Sequence, residues 1–199
     1  FAKDTGLYSF ITDVELYYSG ADVVSFAYNY ENVRLNKGEI RRKDIVYNYR
    51  YAGGDVTIYK MTGKQLKDYM EWAADYFDTI QPGDTEYRYN GERAGRKYVT
   101  FDIFGGVKYK IDLRNEKGNK ITNLMLVNGK KITSEMELKV GMNAYRFEQL
   151  ARKGGIFDGQ EIPVLWASKE AIGEIDGTIQ NMMIDYIKNV KNGIIEGKL

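Results

Sequence analysis

The spacing of apolar residues changes twice along this 199-residue chain, and this limits the folds it can adopt. Residues 4–19 carry apolar side chains at helical spacing, with Gly20 at the position of a left-handed C-cap. From Tyr98 to Leu113 the period becomes two, as in strands, and residues 179–190 return to a helical stripe. With no linker or repeat between these segments, the pattern predicts a single α+β domain with a mixed or antiparallel β-sheet packed by helices.

Short motifs place several boundaries. Asp4 or Thr5 is expected to cap the first helix, and Thr62 with Gln65 has the spacing of a capping box that starts another. The pair Gly105-Gly106 predicts a hairpin between two strands, and Asn128-Gly129 predicts a second hairpin. The remaining expected elements are a loop or short helix at 28–43, strands at 21–26, 56–61, 138–142 and 163–166, a loop at 81–96 and a short helix at 147–153.

The chain contains no His and no Cys. Their absence excludes Ser-His-Asp triads, thiol catalysis, thiolate zinc sites and phosphatase metal centres with His ligands. A metal site would need carboxylates alone. The pairs Asp13/Glu15 and Glu135/Glu137 alternate with apolar residues, so we expect them on solvated faces. The glycine pairs lack the GxxxxGK[ST] and GxGxxG patterns of phosphate-binding loops.

Charge and hydropathy exclude further classes of partner. With 29 Lys and Arg against 28 Asp and Glu, the net charge is +1, which provides no electrostatic footprint for a nucleic-acid polymer. The basic run at residues 41–43 is expected to be a solvated loop. No apolar run approaches the roughly 20 residues of a membrane span. The missing Cys fits an exported protein, and the start at Phe1 predicts a piece of a longer one.

Two short segments combine aromatic rings with amides and guanidinium groups. They are residues 47–54, which contain three Tyr and one Asn around Arg50, and residues 143–147. A planar polar ligand needs such groups, because rings stack on its faces, an amide contacts its edge and a guanidinium binds an anion. The alternative is that these tyrosines belong to the core with hydrogen-bonded hydroxyls, and the pattern alone leaves both open.

Five segments in order resemble the C-terminal domain of the 5'-nucleotidase family. They carry a helix leading into Gly20-Ala21-Asp22, a Gly-acidic-Ile turn followed by an aromatic loop and a Thr-Gly-led helix, a hairpin, an Asn-aromatic-Arg loop and a closing helix: residues 4–23, 35–77, 101–113, 139–157 and 184–190. Within the family, the sequences of these segments are most similar to those of the bacterial 2',3'-cyclic-nucleotide 2'-phosphodiesterase/3'-nucleotidases. The resemblance implies a 5'-nucleotidase C-terminal-like domain over residues 1–199.

The resemblance also implies a division of labour. In the family, an N-terminal metallophosphoesterase domain holds a pair of divalent metals, and the C-terminal domain binds the base and sugar of a nucleoside or nucleotide. This chain would then be the recognition half of an exported enzyme of nucleotide catabolism, extracellular, periplasmic or attached to the cell wall. We expect no cofactor in this chain and no phosphoester hydrolysis by it alone.

The site residues implied by the resemblance lie in two loops and one turn. The two rings of the base clamp correspond to Tyr51 and Tyr145, and Asn143 and Arg146 belong to the second loop. Gly53 stands where the family usually has Asn, and Arg34 is the candidate for an Arg that contacts the ligand in some members. Glu148 and Gln149 replace a Gly pair. The alternative is therefore a binding or scaffold domain that kept the fold and lost the ligand.

Overall fold

A five-stranded mixed sheet forms the centre of the computed structural model, which describes residues 6–28, 34–94 and 100–196. Its strands are β1 (Val23–Tyr28), β2 (Thr57–Thr62), β3 (Phe101–Gly105), β6 (Glu137–Met142) and β7 (Val164–Ala167), in the order β3-β1-β6-β2-β7. The β1–β6 pair is parallel and the other three pairs are antiparallel. A second, two-stranded sheet pairs β4 (Val107–Ile111) with β5 (Ile121–Leu126). The predicted α+β class with a mixed sheet is confirmed.

Helices lie on both faces of the central sheet. They are α1 (Gly6–Ser19), α2 (Arg42–Asn48), α3 (Gly63–Ala74), α4 (Gly91–Ala94), α5 (Ala144–Ala151), α6 (Ser168–Ile172) and α7 (Ile179–Asp185), which continues into a π-helical turn, Tyr186–Val190. Within the described ranges, none of these helices has both the length and the apolar character that crossing a membrane requires.

The sheet separates two apolar clusters. On the side of α1 and α7, the buried side chains include Ile11, Val14 and Met183. On the side of α3, they include Leu66 and Met70. Because successive strand residues point to opposite faces, β1 contributes Phe26 to the first cluster and Val23 to the second. Each fully buried aliphatic side chain of this size contributes about 1.5–3 kcal/mol, so the two clusters hold the helices on the sheet.

Local signals placed α1 and α3 correctly. Gly20 has φ +60°, and its amide donates to the Leu16 carbonyl at 2.9 Å, which closes α1. At the start of α3, the Thr62 hydroxyl accepts from the Gln65 amide at 3.2 Å, and Gln65 Oε1 accepts from the Thr62 amide at 2.8 Å. The capping box is therefore confirmed. The predicted caps Asp4 and Thr5 lie outside the described residues, as do positions 95–99.

The hairpin predicted at Gly105-Gly106 is wrong. Strand β3 pairs with β1 and β4 pairs with β5, so the glycine pair is the point where the chain leaves one sheet for the other. A Cβ at Gly105 would lie 2.5 Å from the Thr12 Cβ, and one at Gly106, where φ is +84°, would overlap the Asp22 carbonyl oxygen. Glycine is needed here because the backbone passes close to α1 and the loop after it.

Two further expectations change. Residues 42 and 43, at the end of the segment expected to be a loop or a short helix, begin α2, which spans residues 42–48 and in which Asn48 is buried. The Asn128-Gly129 turn is present, since the Gly129 amide donates to the Leu126 carbonyl at 2.9 Å. Its second arm, however, contributes only the isolated bridge Met125–Lys131 in the described structure.

The crossing at Gly106 predicts a stability difference between two glycines of similar φ. Asn tolerates the left-handed region of backbone conformation. The control is therefore Gly129→Asn, where φ is +87° and a Cβ would have no other atom within 4 Å. Gly106→Asn adds an overlap with backbone. We expect it to lower the free energy of unfolding by about 1–3 kcal/mol more than the control does, as measured by urea denaturation. Equal losses would contradict the crowded crossing.

Candidate functional site

A cavity of about 650 Å³ opens beside the amino end of α5. Its walls come from α1, β1, the loop at residues 49–55, and the first turn of α5. The lining divides by exposure: Tyr51 and Tyr145 are 46% and 53% exposed and form the mouth, whereas Glu15, Phe26 and Tyr49 are buried and form the inner wall. This volume is in the range of small-molecule sites.

Five of the six residues implied by the family resemblance border this cavity. They are Tyr51, Gly53, Asn143, Tyr145 and Arg146. Arg34 is not among the lining residues; it is exposed, and its carbonyl accepts a hydrogen bond from Asn48 Nδ2 at 3.0 Å. The loop at residues 49–55 and the first turn of α5, which are distant in sequence, thus each place an exposed tyrosine at the mouth of one cavity. The roles of these residues toward a ligand stay predictions.

Asn143 connects the two loops. It is the N-cap of α5, where its Oδ1 accepts from the Tyr145 amide at 3.0 Å. Its Nδ2 lies 3.1 Å from Asp55 Oδ1, and the Ala144 amide donates to the same oxygen at 3.3 Å. The side chain predicted to contact a ligand edge is therefore engaged within the protein. It fixes the backbone of Tyr145 against the loop that carries Tyr51.

Arg146 is buried against a carboxylate rather than presented to solvent. Its Nη2 donates to Asp102 Oδ1 at 2.8 Å, and its Nε lies 2.8 Å from Oδ2, at an angle that makes this an ion pair without a hydrogen bond. Burial opposes the charge on Arg146, but the Asp102 carboxylate outweighs it and raises the pKa of the guanidinium. Thr100 Oγ1 and Gln149 Oε1 accept its other hydrogen bonds.

A chain of hydrogen bonds connects this ion pair to Ser25, which also lines the cavity. The Tyr69 hydroxyl donates to Asp102 Oδ2 at 2.6 Å. Because that uses its single proton, the Ser25 hydroxyl donates to Tyr69 at 3.0 Å. The positive charge of Arg146 is thus neutralised by Asp102 inside the protein. Arg146 is therefore not available to bind an anionic ligand at this part of the inner wall.

The expectation of a solvated Glu15 is wrong. Glu15 is only 2% exposed and lines the cavity. Its Oε2 has no hydrogen-bond partner among the described residues. Burial raises the pKa of this carboxyl well above its ordinary value of 4.5. A sequence signal was present: Glu15 follows Ile11 by four residues and therefore shares its buried helix face. The pair Glu135/Glu137, in contrast, is exposed as expected.

The turn at residues 51–54 shapes the side of the cavity that carries Tyr51. The Gly54 amide donates to the Tyr51 carbonyl at 2.9 Å, and the Ile179 amide donates to the Gly54 carbonyl at 2.9 Å. A Cβ at Gly54 would overlap the hydroxyl of Tyr49 in the inner wall. At Gly53 the nearest atom to such a Cβ is Lys169 Nζ, 3.9 Å away, so this position has room for a side chain.

The acidic residues of the described segments do not gather into a group of three or more that could hold a metal ion. The sequence also has no His or Cys. The described residues therefore do not provide ligands for the pair of divalent metals that the family resemblance assigns to the N-terminal domain. The cavity presents aromatic faces at the mouth, apolar side chains within, and a buried carboxyl with an unused oxygen.

Comparison with known proteins identifies the family. The family model described as 5'-nucleotidase, C-terminal domain, matches residues 1–152. This chain belongs to that family. The resemblance of the five ordered segments is confirmed, and the mixed sheet with its covering helices is the fold of this domain in solved relatives.

Three relatives illustrate the match. A 2',3'-cyclic-nucleotide 2'-phosphodiesterase/3'-nucleotidase of Haemophilus influenzae is 27% identical over 77% of this chain and 23% of its own length. A trifunctional nucleotide phosphoesterase of Bacillus subtilis is 32% identical over 75% of this chain and 10% of its own. The crystal structure of a Staphylococcus aureus protein assigned as a 5'-nucleotidase, in complex with alpha-ketoglutarate, superposes with a TM-score of 0.73 at 23% identity.

The family domain is a small part of these proteins. This chain spans less than a quarter of the two curated relatives and 33% of the S. aureus chain, which covers 91% of it in turn. The activities in the relatives' names therefore describe proteins several times longer than this chain. At 23% identity, the S. aureus structure shows the shared fold.

The buried Glu15 predicts a stability gain on its removal. Glu15→Met should raise the free energy of unfolding at pH 8 by about 1–3 kcal/mol, the usual cost of a buried unpartnered polar group. Because the folded-state pKa is raised, the parent loses stability as pH rises from 4.5 through that pKa. The gain should therefore shrink toward pH 4. Urea denaturation at both pH values measures it, with exposed Glu135→Gln as control; a gain larger at pH 4 would contradict it.

The turn beside Tyr51 allows a matched test of the cavity wall. Gly54→Ala forces the buried Tyr49 ring to move, so we expect a loss of about 1–3 kcal/mol and a melting temperature lower by several degrees. Gly53→Ala, one residue earlier in open space, should stay within about 0.5 kcal/mol of the parent. Calorimetry of the two variants decides, and similar melting temperatures for both would show that Tyr49 does not limit this turn.

Proposed function

We propose that this domain binds the base and sugar of a nucleoside or nucleotide in the 650 Å³ cavity, with the base between the rings of Tyr51 and Tyr145. One observation carries the proposal: a loop and a helix start that are far apart in sequence each present an exposed tyrosine at the mouth of the same mainly apolar cavity. Stacking on aromatic rings is worth about 1–3 kcal/mol per base, and it suits any base.

The electrostatics of the cavity support a neutral ligand group in its inner part. Arg146 is paired with Asp102, and burial raises the pKa of Glu15, the fully buried acid of the cavity lining. A base is neutral and planar and matches this interior, whereas a phosphate would find no unpaired cation among the described residues of the inner wall. The phosphate of a nucleotide would therefore remain outside, toward the mouth.

We place hydrolysis outside this chain. In this proposal, a divalent metal pair in an N-terminal metallophosphoesterase domain of the same polypeptide cleaves the phosphoester, and this domain presents the substrate to it. The relatives' names, a cyclic-nucleotide phosphodiesterase/3'-nucleotidase and a nucleotide phosphoesterase, support a nucleotide substrate. The proposed location is extracellular, periplasmic or attached to the cell wall, consistent with a chain that lacks Cys.

A second candidate is a scaffold domain without a ligand. Gly53 in the place of the family's usual Asn favours it, as do Glu148 and Gln149 in the place of a Gly pair. The internal engagement of Asn143 and Arg146 also favours it, because both side chains have structural partners. The rings at the cavity mouth favour ligand binding instead, since Tyr51 and Tyr145 are each about half exposed to solvent.

Titration of the chain with adenosine, followed by NMR or calorimetry, separates the two candidates. We expect a dissociation constant near millimolar, about −4 kcal/mol, because the phosphate and its metal partners are missing. Tyr51→Ala and Tyr145→Ala should each weaken binding by roughly 5- to 100-fold, since one face of the base loses its ring. Tyr→Phe at either position should bind as the parent does.

Tyr47→Ala is the matched control for this titration. Tyr47 is 54% exposed, similar to the two mouth tyrosines, but it lies on α2 and does not border the cavity. Its loss should leave adenosine binding unchanged. The scaffold candidate is favoured if no signal shifts at several millimolar adenosine, or if all three Ala variants bind like the parent.

A further inference from the structure

Glu15 differs from the other polar side chains of the inner cavity wall: its Oε2 has no hydrogen-bond partner in the described part of the chain, whereas Arg146 Nε, which also lacks one, is ion-paired with Asp102. Ser25 bonds Tyr69, and Thr100 and Gln149 both bond Arg146. Asn143, nearer the mouth, is held by Asp55. Among the described residues, Glu15 Oε2 has no such partner, although the residue is 98% buried, given its exposure of 2%. A buried carboxyl oxygen without a partner is costly to the fold, so its presence in a cavity wall points to a ligand.

The depth of Glu15 sets which part of a ligand it can reach. The rings of Tyr51 and Tyr145 are about half exposed at the mouth, whereas Glu15 lies in the inner wall with Phe26 and Ile179. A base stacked on a mouth ring presents its faces to the rings and one edge to the interior. That edge carries the ring nitrogens and exocyclic groups by which bases differ.

The surroundings of Glu15 favour its neutral form. Phe26 and Ile179 are apolar, and burial is the cause that raises the pKa of the carboxyl. The phenol of Tyr49 is buried as well; desolvation, and then the charge of Glu15, raise the pKa of that hydroxyl. A protonated carboxyl carries a donor and an acceptor side by side. The same pair, in reverse order, is offered by an amino group beside a ring nitrogen, as on adenine.

We propose that Glu15 is a specificity-determining residue of the cavity, which hydrogen-bonds the edge of a bound base that has an amino group next to an unprotonated ring nitrogen. This inference rests on the proposed nucleoside site and extends it from general stacking to selection among bases. Stacking supplies affinity for every base, whereas a buried group that must be paired discriminates against a base that cannot pair with it.

Two ligands and two variants test this role. Adenosine and purine riboside differ by the 6-amino group alone, so they offer the rings equal faces and Glu15 different edges. The parent chain should bind adenosine about 3- to 10-fold more tightly, the usual value of one net hydrogen bond. Glu15→Gln keeps a donor and an acceptor at the same place and should retain most of that preference. Glu15→Met keeps the length without hydrogen bonding, and should bind the two ligands equally.

The experiment separates this inference from the function on which it rests. If adenosine binding depends on Tyr51 and Tyr145 while Glu15→Met keeps the full preference for adenosine, the nucleoside site stands and the role of Glu15 is overturned. A parent chain that binds both ligands equally overturns it too. If neither ligand binds the parent, both proposals are overturned. Misfolding does not confuse the result, because Glu15→Met is expected to be more stable than the parent.

Discussion

The buried ion pair between Arg146 and Asp102 holds the cavity together. Arg146 lies in the first turn of α5, Asp102 is in β3, and the hydroxyl of Tyr69 in α3 bonds the same carboxylate. Three elements thus meet at one carboxylate, with Ser25 of β1 as the next link. Removing one member of a buried pair leaves an uncompensated charge, at a cost of about 3–5 kcal/mol. Because Tyr145 directly precedes Arg146 in the chain, the ion pair also fixes the position of the Tyr145 backbone at the mouth of the cavity.

Around this pair, the protein balances its buried charges with neighbours rather than with solvent. The Arg93 guanidinium lies 3.7 Å from the centre of the Trp72 ring, and that of Arg146 lies 5.2 Å from it. Burial lowers the pKa of Arg93, while Asp102 acts in the opposite direction. Glu15 has no such compensation, and its neutral form is favoured instead. The buried part of the cavity wall therefore presents no unbalanced charge from Arg146 or Glu15, a property that suits a base better than a phosphate.

The arrangement also explains why motif residues can have two kinds of role. Asn143 and Arg146, at the start of α5, belong to a segment whose pattern resembles a ligand-binding motif, yet Asn143 is bonded to Asp55 and Arg146 to Asp102. What they provide directly is the position of Tyr145 relative to the loop of Tyr51. Recognition would then fall to side chains that are exposed at the mouth or unpartnered inside, among them the two tyrosines and Glu15.

Features that depend on neighbours in sequence could be predicted from the sequence: α1 with its Gly20 cap, the capping box of α3, most strand positions, and the family itself through segments in order. Helix periodicity and caps are set by residues within about four positions of one another, so a single chain displays them. The path through Gly105-Gly106, the burial of Glu15 and the pairing of Arg146 could not be predicted. Each depends on a contact with a distant segment, namely Asp22, the cavity wall and Asp102. Sheet pairing and burial are decided by such contacts, and only the folded chain brings them together.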